Sequence, residues 1–313
     1  MLGRSPNWTR RSTVDAYLHD LRGSRRSPPG TPDSGAGLTD NGPERVRTDR
    51  LHGVQARSAL FDLYGDHLRP RGGVAPIAAL VRLLAPLDIA APAVRTAVSR
   101  MVRQGWLDPR KLPSGPGYAL TARGTRRLDD AAARIYRTDH AEWDGRWHLL
   151  VVTAPADRSV RARLAANLRF LGYGPLDSTT WVAPKPAAEV GGLLDEAGAA
   201  TEEFHAEHAG GERGALALVE RAWDLKALAT SYEQFVRDLT PVVTAAGEDA
   251  SDEQAFAARS KLVHTWRRFL FSDPALPAAL LPADWPGATA AAFFDHHAER
   301  LWPAASRYVD QCL

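Results

Sequence analysis

At 313 residues the chain is long enough for two or three domains with their own cores, which excludes a single small module. A hydrophobic share of 44% and a charged share of 24% are ordinary for a soluble globular protein, and no apolar run reaches the roughly 20 residues of a membrane helix. The net charge of +2 hides an asymmetry: residues 57–136 carry 13 Lys and Arg against 6 Asp and Glu, whereas 187–313 carry 10 against 20. A basic part suited to a polyanion is thus joined to an acidic part that is not.

The first 56 residues are rich in Pro, Gly, Ser, Arg and Asp, with SRRSPPGTPDSGAG at their centre, and are expected to be disordered. They contain no apolar core of signal-peptide length, so a cytoplasmic protein without membrane attachment is expected. Cys312 is the single cysteine, which leaves neither an internal disulfide nor a cysteine-based zinc site.

Order is expected from Arg57. SALFDLY reads as a short helix that stops at the loop GDHLRPRGG, residues 65–73, and VAPIAALVRLLAPL as a second helix with Pro76 in its first turn. A third helix, APAVRTAVSRMVRQGWL, places Val94, Ala97, Val98, Met101 and Val102 on one face and Arg95, Thr96, Ser99, Arg100 and Arg103 on the other, with no acidic residue there. Gly105 is a candidate C-cap, and WLDPRKLPSGPGYALT reads as two strands around a turn at Ser114–Gly117, carrying Arg110 and Lys111. Three helices followed by a hairpin is the outline of a winged helix-turn-helix, in which the third helix enters the major groove of double-stranded DNA and the wing lies on phosphates.

A linker or dimer helix, TARGTRRLDDAAARIY, follows. Then WHLLVVT, TTWVAP and TEEFHAEH read as strands, separated by the helices RSVRARLAANLRFLG and AAEVGGLLDEAG, which suggests a ferredoxin-like α+β sandwich. From Ala222 the chain reads as helical, in AWDLKALATSYEQFVRDLTPVV and DEQAFAARSKLVHTWRRFLF. The Pro-rich SDPALPAALLPADWPG separates these from a last helix, ATAAAFFDHHAERLW. The expected division is a disordered extension at 1–56, a winged helix-turn-helix at 57–137, a ferredoxin-like domain at 138–209 and a helical domain at 210–313.

Three stretches resemble the PaaX family of bacterial transcriptional repressors of phenylacetate catabolism. They are GDHLRPRGG with AVRTAVSRMVRQGWL, WDGRWHLLVVTAP with RFLGYGPL, and WRRFLFSDPALPAALLPADWPG, the last being the most specific for its order of Asp-Pro, Leu-Pro, Leu-Leu-Pro and Asp-Trp-Pro-Gly. The resemblance runs from about Arg57 to Trp302. It implies a dimeric repressor whose central domain is similar to that of CRISPR-associated small nucleases, released from operator DNA by an aryl-CoA thioester such as phenylacetyl-CoA.

A metal-dependent nuclease is the alternative, but the end of the first central strand reads VVTAP, with Ala154 and Pro155, and Asp157 is a single nearby carboxylate where several oxygen ligands are needed. No catalytic residue, metal or cofactor is therefore expected. The pairs His205 with His208 and His296 with His297 have spacings that diverge on a strand and on a helix, and read as solvated. Trp223, Trp266, Trp285 and Trp302 could line an aryl pocket, although core packing explains them equally well. Trp266 with Arg267, Arg268 and Trp285 forms the candidate effector site, because a CoA thioester needs an apolar slot and cations for its phosphates.

Overall fold

The computed structural model describes residues 55–135, 143–153 and 155–313. Of the expected disorder at 1–56, residues 1–54 lie outside the described residues, as do Tyr136 and Ala154, whereas Gln55 and Ala56 are helical, Ala56 being fully buried in the core. The described residues cluster into two compact units, one formed by 55–135, 226–270 and 283–313 and the other by 143–225 and 271–282.

In the first unit, helix α1 (55–63) does not stop at Gly65. It runs on through a π turn, Tyr64–Leu68, and a 3-10 turn, Arg69–Arg71, before Gly72 and Gly73 turn the chain at positive φ. Burial of Tyr64, His67 and Leu68 holds the extended segment, and Gly65 serves close packing, since a Cβ there would lie 3.2 Å from Leu128 Cδ2. Strand β1 (Val74–Pro76), read from sequence as the start of a helix, precedes α2 (Ile77–Leu84) and α3 (Ala91–Arg103). Strands β2 (Leu107–Leu112) and β3 (Gly115–Leu120) form the hairpin, and the sheet has the antiparallel order β1-β3-β2. The turn is tighter than expected, Pro113–Ser114, and Gly117 lies within β3, where a Cβ would meet Leu112 and the Ala75 carbonyl. Thr121 starts α4 (Ala122–Ile135): its hydroxyl accepts from Gly124 N at 3.0 Å and donates to Gly105 O at 2.8 Å.

The same unit contains α8 (Leu225–Ala245) from Lys226 onward, α9 (Asp252–Trp266) and α10 (Pro286–Cys312), packed around Tyr232, Phe235, Leu262, Trp266, Phe269 and Phe294. Arg300 donates to the carbonyls of Val243 and Ala246, both at 2.7 Å, and so closes the end of α8. Helix α10 continues past Pro303, because Leu301, Ala305, Val309 and Cys312 extend its buried stripe and Arg259 donates to the Ala298 carbonyl beneath it.

In the second unit, β4 (Arg146–Val152), α5 (Arg158–Phe170), β5 (Gly174–Pro175), β6 (Thr180–Ala183), α6 (Val190–Ala197) and β7 (Thr201–Glu207) follow one another. All neighbouring pairs in the order β5-β6-β4-β7 are antiparallel, which matches the split βαβ arrangement expected from sequence with the two-residue β5 added. Helix α7 (Gly211–Ala222) packs Ala215, Leu218 and Val219 with Trp147 and Val182 of the sheet and with Leu276 and Leu280 of the 271–282 segment. No helix among the described residues is long and apolar enough to cross a membrane.

Candidate nucleic-acid interface

The third helix is fixed at both ends by its own sequence. Pro92 sits in the first turn, where its missing N–H costs no hydrogen bond. At the other end Gly105 adopts φ 72°, with its N–H bonded to Val102 O at 2.9 Å and the Trp106 N–H to Met101 O at 2.9 Å, the paired bonds of a Schellman cap. Trp106 is then held edge-on by Phe61 at 5.4 Å and covered by the Arg123 guanidinium at 4.3 Å. Arg123 also donates to Gln104 O at 3.2 Å.

With Val94, Ala97, Val98 and Met101 buried, α3 turns Arg95, Thr96, Ser99, Arg100 and Arg103 to solvent. The face expected from periodicity is the exposed one, and no carboxylate of the helix shares it. Thr96 Oγ1 donates to Pro92 O at 2.9 Å, a bond within its own helix that leaves the oxygen able to accept. Arg110 and Lys111 are exposed on β2, opposite Gly117 and Pro116 of β3, and as successive strand residues they point to opposite faces. Arg110 lies 4.0 Å from Asp108, an open pair that a phosphate can displace.

The four candidate effector residues are only partly brought together. Trp266 is buried in an aromatic cluster, 5.2 Å from Phe235 and stacked 4.9 Å from Phe294, and Trp285 meets Tyr232 at 6.0 Å. Arg267 is buried and spent elsewhere: it lies 2.6 Å from Asp62 and donates to Ser58 Oγ at 2.7 Å. Arg268 is exposed. The other two tryptophans lie apart, Trp223 stacked 6.2 Å from Trp147 in the second unit and Trp302 stacked 5.5 Å from His67 in the first.

A buried ionic group that sequence reasoning missed ties α1 to the C-terminal helices. Asp66 accepts from Arg259 through both oxygens, at 2.7 and 2.9 Å, and Arg259 in turn lies 4.7 Å over the Trp302 ring. Asp62 sits between Arg267 and His264, the latter at 2.7 Å. The spacing of Asp62 and Asp66 marks one helix face, but nothing local announces partners about 200 residues away.

In the second unit Asp157 caps α5, accepting from Ser159 Oγ at 2.7 Å, Ser159 N at 2.6 Å and Val160 N at 3.3 Å, and those hydrogen bonds, the hydroxyl's first, hold its carboxyl below the usual range. His205 is exposed on β7, and His208 Nδ1, just beyond the strand, accepts from Gly210 N at 3.0 Å. His296 is exposed and His297 half-buried. Among the described residues no three His, Cys, Asp or Glu side chains gather as a metal site.

Comparison with known proteins gives matches across these elements. Residues 55–124 match the PaaX-like protein family, 140–217 the PaaX protein central Cas2-like domain, and 223–311 the PaaX-like protein C-terminal domain. The chain is also 35% identical over 266 residues to the transcriptional repressor PaaX of Escherichia coli strain K12, covering 82% of this chain and 84% of that protein. The chain belongs to the PaaX family. The PaaX matches follow the structure closely: the first spans α1 to the start of α4, the central one the four-stranded sheet, and the last α8 to α10. The uncharacterized protein Rv0674 from Mycobacterium tuberculosis has the same fold, with a TM-score of 0.53 and 24% identity over 82% of this chain and 98% of that one.

Proposed function

We propose that the chain is a DNA-binding transcriptional repressor of PaaX type, acting in the cytoplasm as a homodimer and not as an enzyme. On this reading α1 to β3 form a winged helix-turn-helix. Helix α3 reads base edges with Arg95, Thr96, Ser99, Arg100 and Arg103, and Arg110 and Lys111 hold the flanking phosphates. The observation that carries it is the outward face of α3, three arginines with two hydroxyls and no carboxylate, locked in place by the Gly105 cap. The Escherichia coli relative, a transcriptional repressor, supports the same reading. The capping role of Asp157 speaks against the nuclease alternative.

The off-signal proposed is an aryl-CoA thioester such as phenylacetyl-CoA, with the exposed Arg268 available to its phosphates. Only a ligand that prefers the DNA-free form can release the repressor. Fluorescence anisotropy with the DNA upstream of the chain's own gene tests both parts. Binding in the range of about 10⁻⁸ M or tighter at physiological salt is expected, reversed by phenylacetyl-CoA and not by free phenylacetate. Equal affinity for a scrambled duplex would overturn the repressor reading, and release by the free acid alone the thioester.

A further inference from the structure

Strand β7 is one edge of the four-stranded sheet: among the described residues it pairs with β4 and with no other strand. Its seven residues follow β4 in unbroken register, so no bulge twists the edge away, and it carries neither proline nor lysine. Its one guard is the charge of Glu202, Glu203 and Glu207, which are exposed together with Phe204 and His205. Alternate N–H and C=O groups along such an edge point outward and form a template for another strand.

Two observations name that strand. Of the large apolar side chains among the described residues only Val151, Phe204, Leu216 and Leu313 stay exposed, and the first two lie together. The register puts Phe204 opposite Leu149 and diagonal to Val151 on one face of the sheet, while the side chains at 201, 203, 205 and 207 share the other.

The second observation is charge. When another β7 runs antiparallel to this one about a two-fold axis normal to the sheet, some residue sits opposite itself, since a half-step shift would match opposite faces. With Phe204 at that centre all seven residues overlap: Glu203 of each copy meets His205 of the other, Glu202 meets Ala206 and Glu207 meets Thr201, so no carboxylate faces another. A centre at Glu203 sets that glutamate against itself, a centre at His205 sets Glu203 against Glu207, and each leaves two residues of the strand unpaired. The glutamates do not bar the approach. Glu207 lies 3.3 Å from Arg146, and Glu203 is hydrogen-bonded to His148 Nε2 at 3.2 Å through Oε2, which leaves Oε1 to accept from the incoming His205.

We propose that β7 of a second copy of this chain pairs antiparallel with β7, Phe204 opposite Phe204, so that the two sheets join edge to edge into one of eight strands. Phe204 and Ala206 of both copies form an apolar stripe that continues onto Leu149 and Val151, and on the other face His205 donates to Glu203. This surface gives the homodimer reading its place and rests on that reading.

Sedimentation velocity of the full chain between about 1 and 100 μM should show a monomer–dimer equilibrium with a Kd on the order of micromolar, as suits an interface at the small end of the specific range. Phe204→Lys sets two ammonium groups opposite each other and should weaken the dimer at least tenfold, with the thermal melt of the parent because the position is exposed. Cross-linking reads the register. Residues opposite each other across such a join lie about 4.5 to 5.5 Å apart at Cα, within disulfide range, so Phe204→Cys should be trapped as a covalent dimer by copper phenanthroline in air. Glu202→Cys, opposite Ala206, should cross-link at least tenfold more slowly, and the parent, whose single cysteine, Cys312, is buried, is the blank. A parent that stays monomeric throughout refutes the homodimer reading and the surface with it. A dimer that Phe204→Lys leaves intact, or that Phe204→Cys does not trap, forms through another face and overturns this one alone; equal trapping at 202 and 204 overturns the register. Should Phe204→Lys fail to fold, the two cysteine variants decide.

Discussion

Arg95 and Arg100 are both exposed on α3, and on the DNA-binding reading proposed above each would meet a guanine edge through two parallel hydrogen bonds. Arg95→Ala or Arg100→Ala should cost about 1 to 3 kcal/mol on operator DNA and relax preference at one base pair, read by competition between operator variants. Arg110→Ala with Lys111→Ala should weaken all duplexes alike and reduce the slope of log K against log salt by about 2. Loss of base preference from the wing pair equal to that from the helix would reverse this assignment. The inner residues behave differently. Removing Arg259 leaves the Asp66 carboxylate buried without its counter-charge, so Arg259→Met should destabilise the fold by about 3 to 5 kcal/mol in urea titrations.

His67 adds a pH dependence of definite sign. Burial first, then Arg259 and Arg71, pull its pKa down from 6.5 to about 4 against the opposing pull of Asp66. The unfolded chain therefore takes up a proton that the folded chain refuses, so stability is full above pH 6.5 and falls as the pH drops toward 4. Between pH 7.5 and 5 the loss should be roughly 2 kcal/mol. A urea midpoint series in which His67→Phe keeps the same pH slope as the parent would contradict this. The arginine face of α3 was legible in the sequence because its period is local and written in 13 consecutive residues. Asp66, His67, Arg259 and Trp302 were not, since their meaning arises only when positions 193 or more residues apart meet in one core.

Elements show the same division between local and distant causes. Helix α9 announces its start with a capping box: Ser251 Oγ accepts from Gln254 N at 3.2 Å and Gln254 Oε1 from Ser251 N at 2.9 Å. Ser251→Ala should cost about 1 kcal/mol, seen as a shifted thermal midpoint. The Gly105 cap and the hairpin were likewise visible, because turn chemistry is short-ranged. Strands β1 and β5 were hidden, being three and two residues long and defined by pairing with β3 and β6 rather than by a pattern of their own. The stop at Gly65 was misplaced for a related reason, as a glycine can mark close packing as well as a break. Gly172 combines both meanings, with φ 90° and a position where a Cβ would lie 2.9 Å from the Pro274 carbonyl. Gly172→Ala should therefore destabilise the second unit by more than 1 kcal/mol, and a variant as stable as the parent in thermal melts would show that the loop yields freely.

At the scale of the molecule, the part that would meet DNA shares its core with the C-terminal helices. Arg259 and Arg267 reach α1, Trp302 stacks on His67, Arg71 pairs with Asp310 at 2.7 Å, and Arg82 on α2 donates to the Cys312 carbonyl. Read in chain order, the sequence suggested consecutive domains, because composition and periodicity describe neighbours along the chain and say little about which distant segments pack together. A fragment of residues 55–135 lacks those partners. It should melt without a cooperative transition and bind operator at least tenfold more weakly than the full chain; a cooperative melt with full affinity would show that the basic segment is self-sufficient.

Because α10 completes the core begun by α1 more than 200 residues earlier, synthesis imposes a delay. At roughly 5 to 20 residues per second, about 10 to 40 seconds separate residue 135 from residue 313 on the ribosome. The intervening sheet can close on most of its partners during that interval, while α1 still waits for Arg259 and Trp302. A polypeptide released early thus carries the arginines of α3 on a core that still lacks Arg259 and Trp302, with Asp66 and His67 left without the groups that cover them.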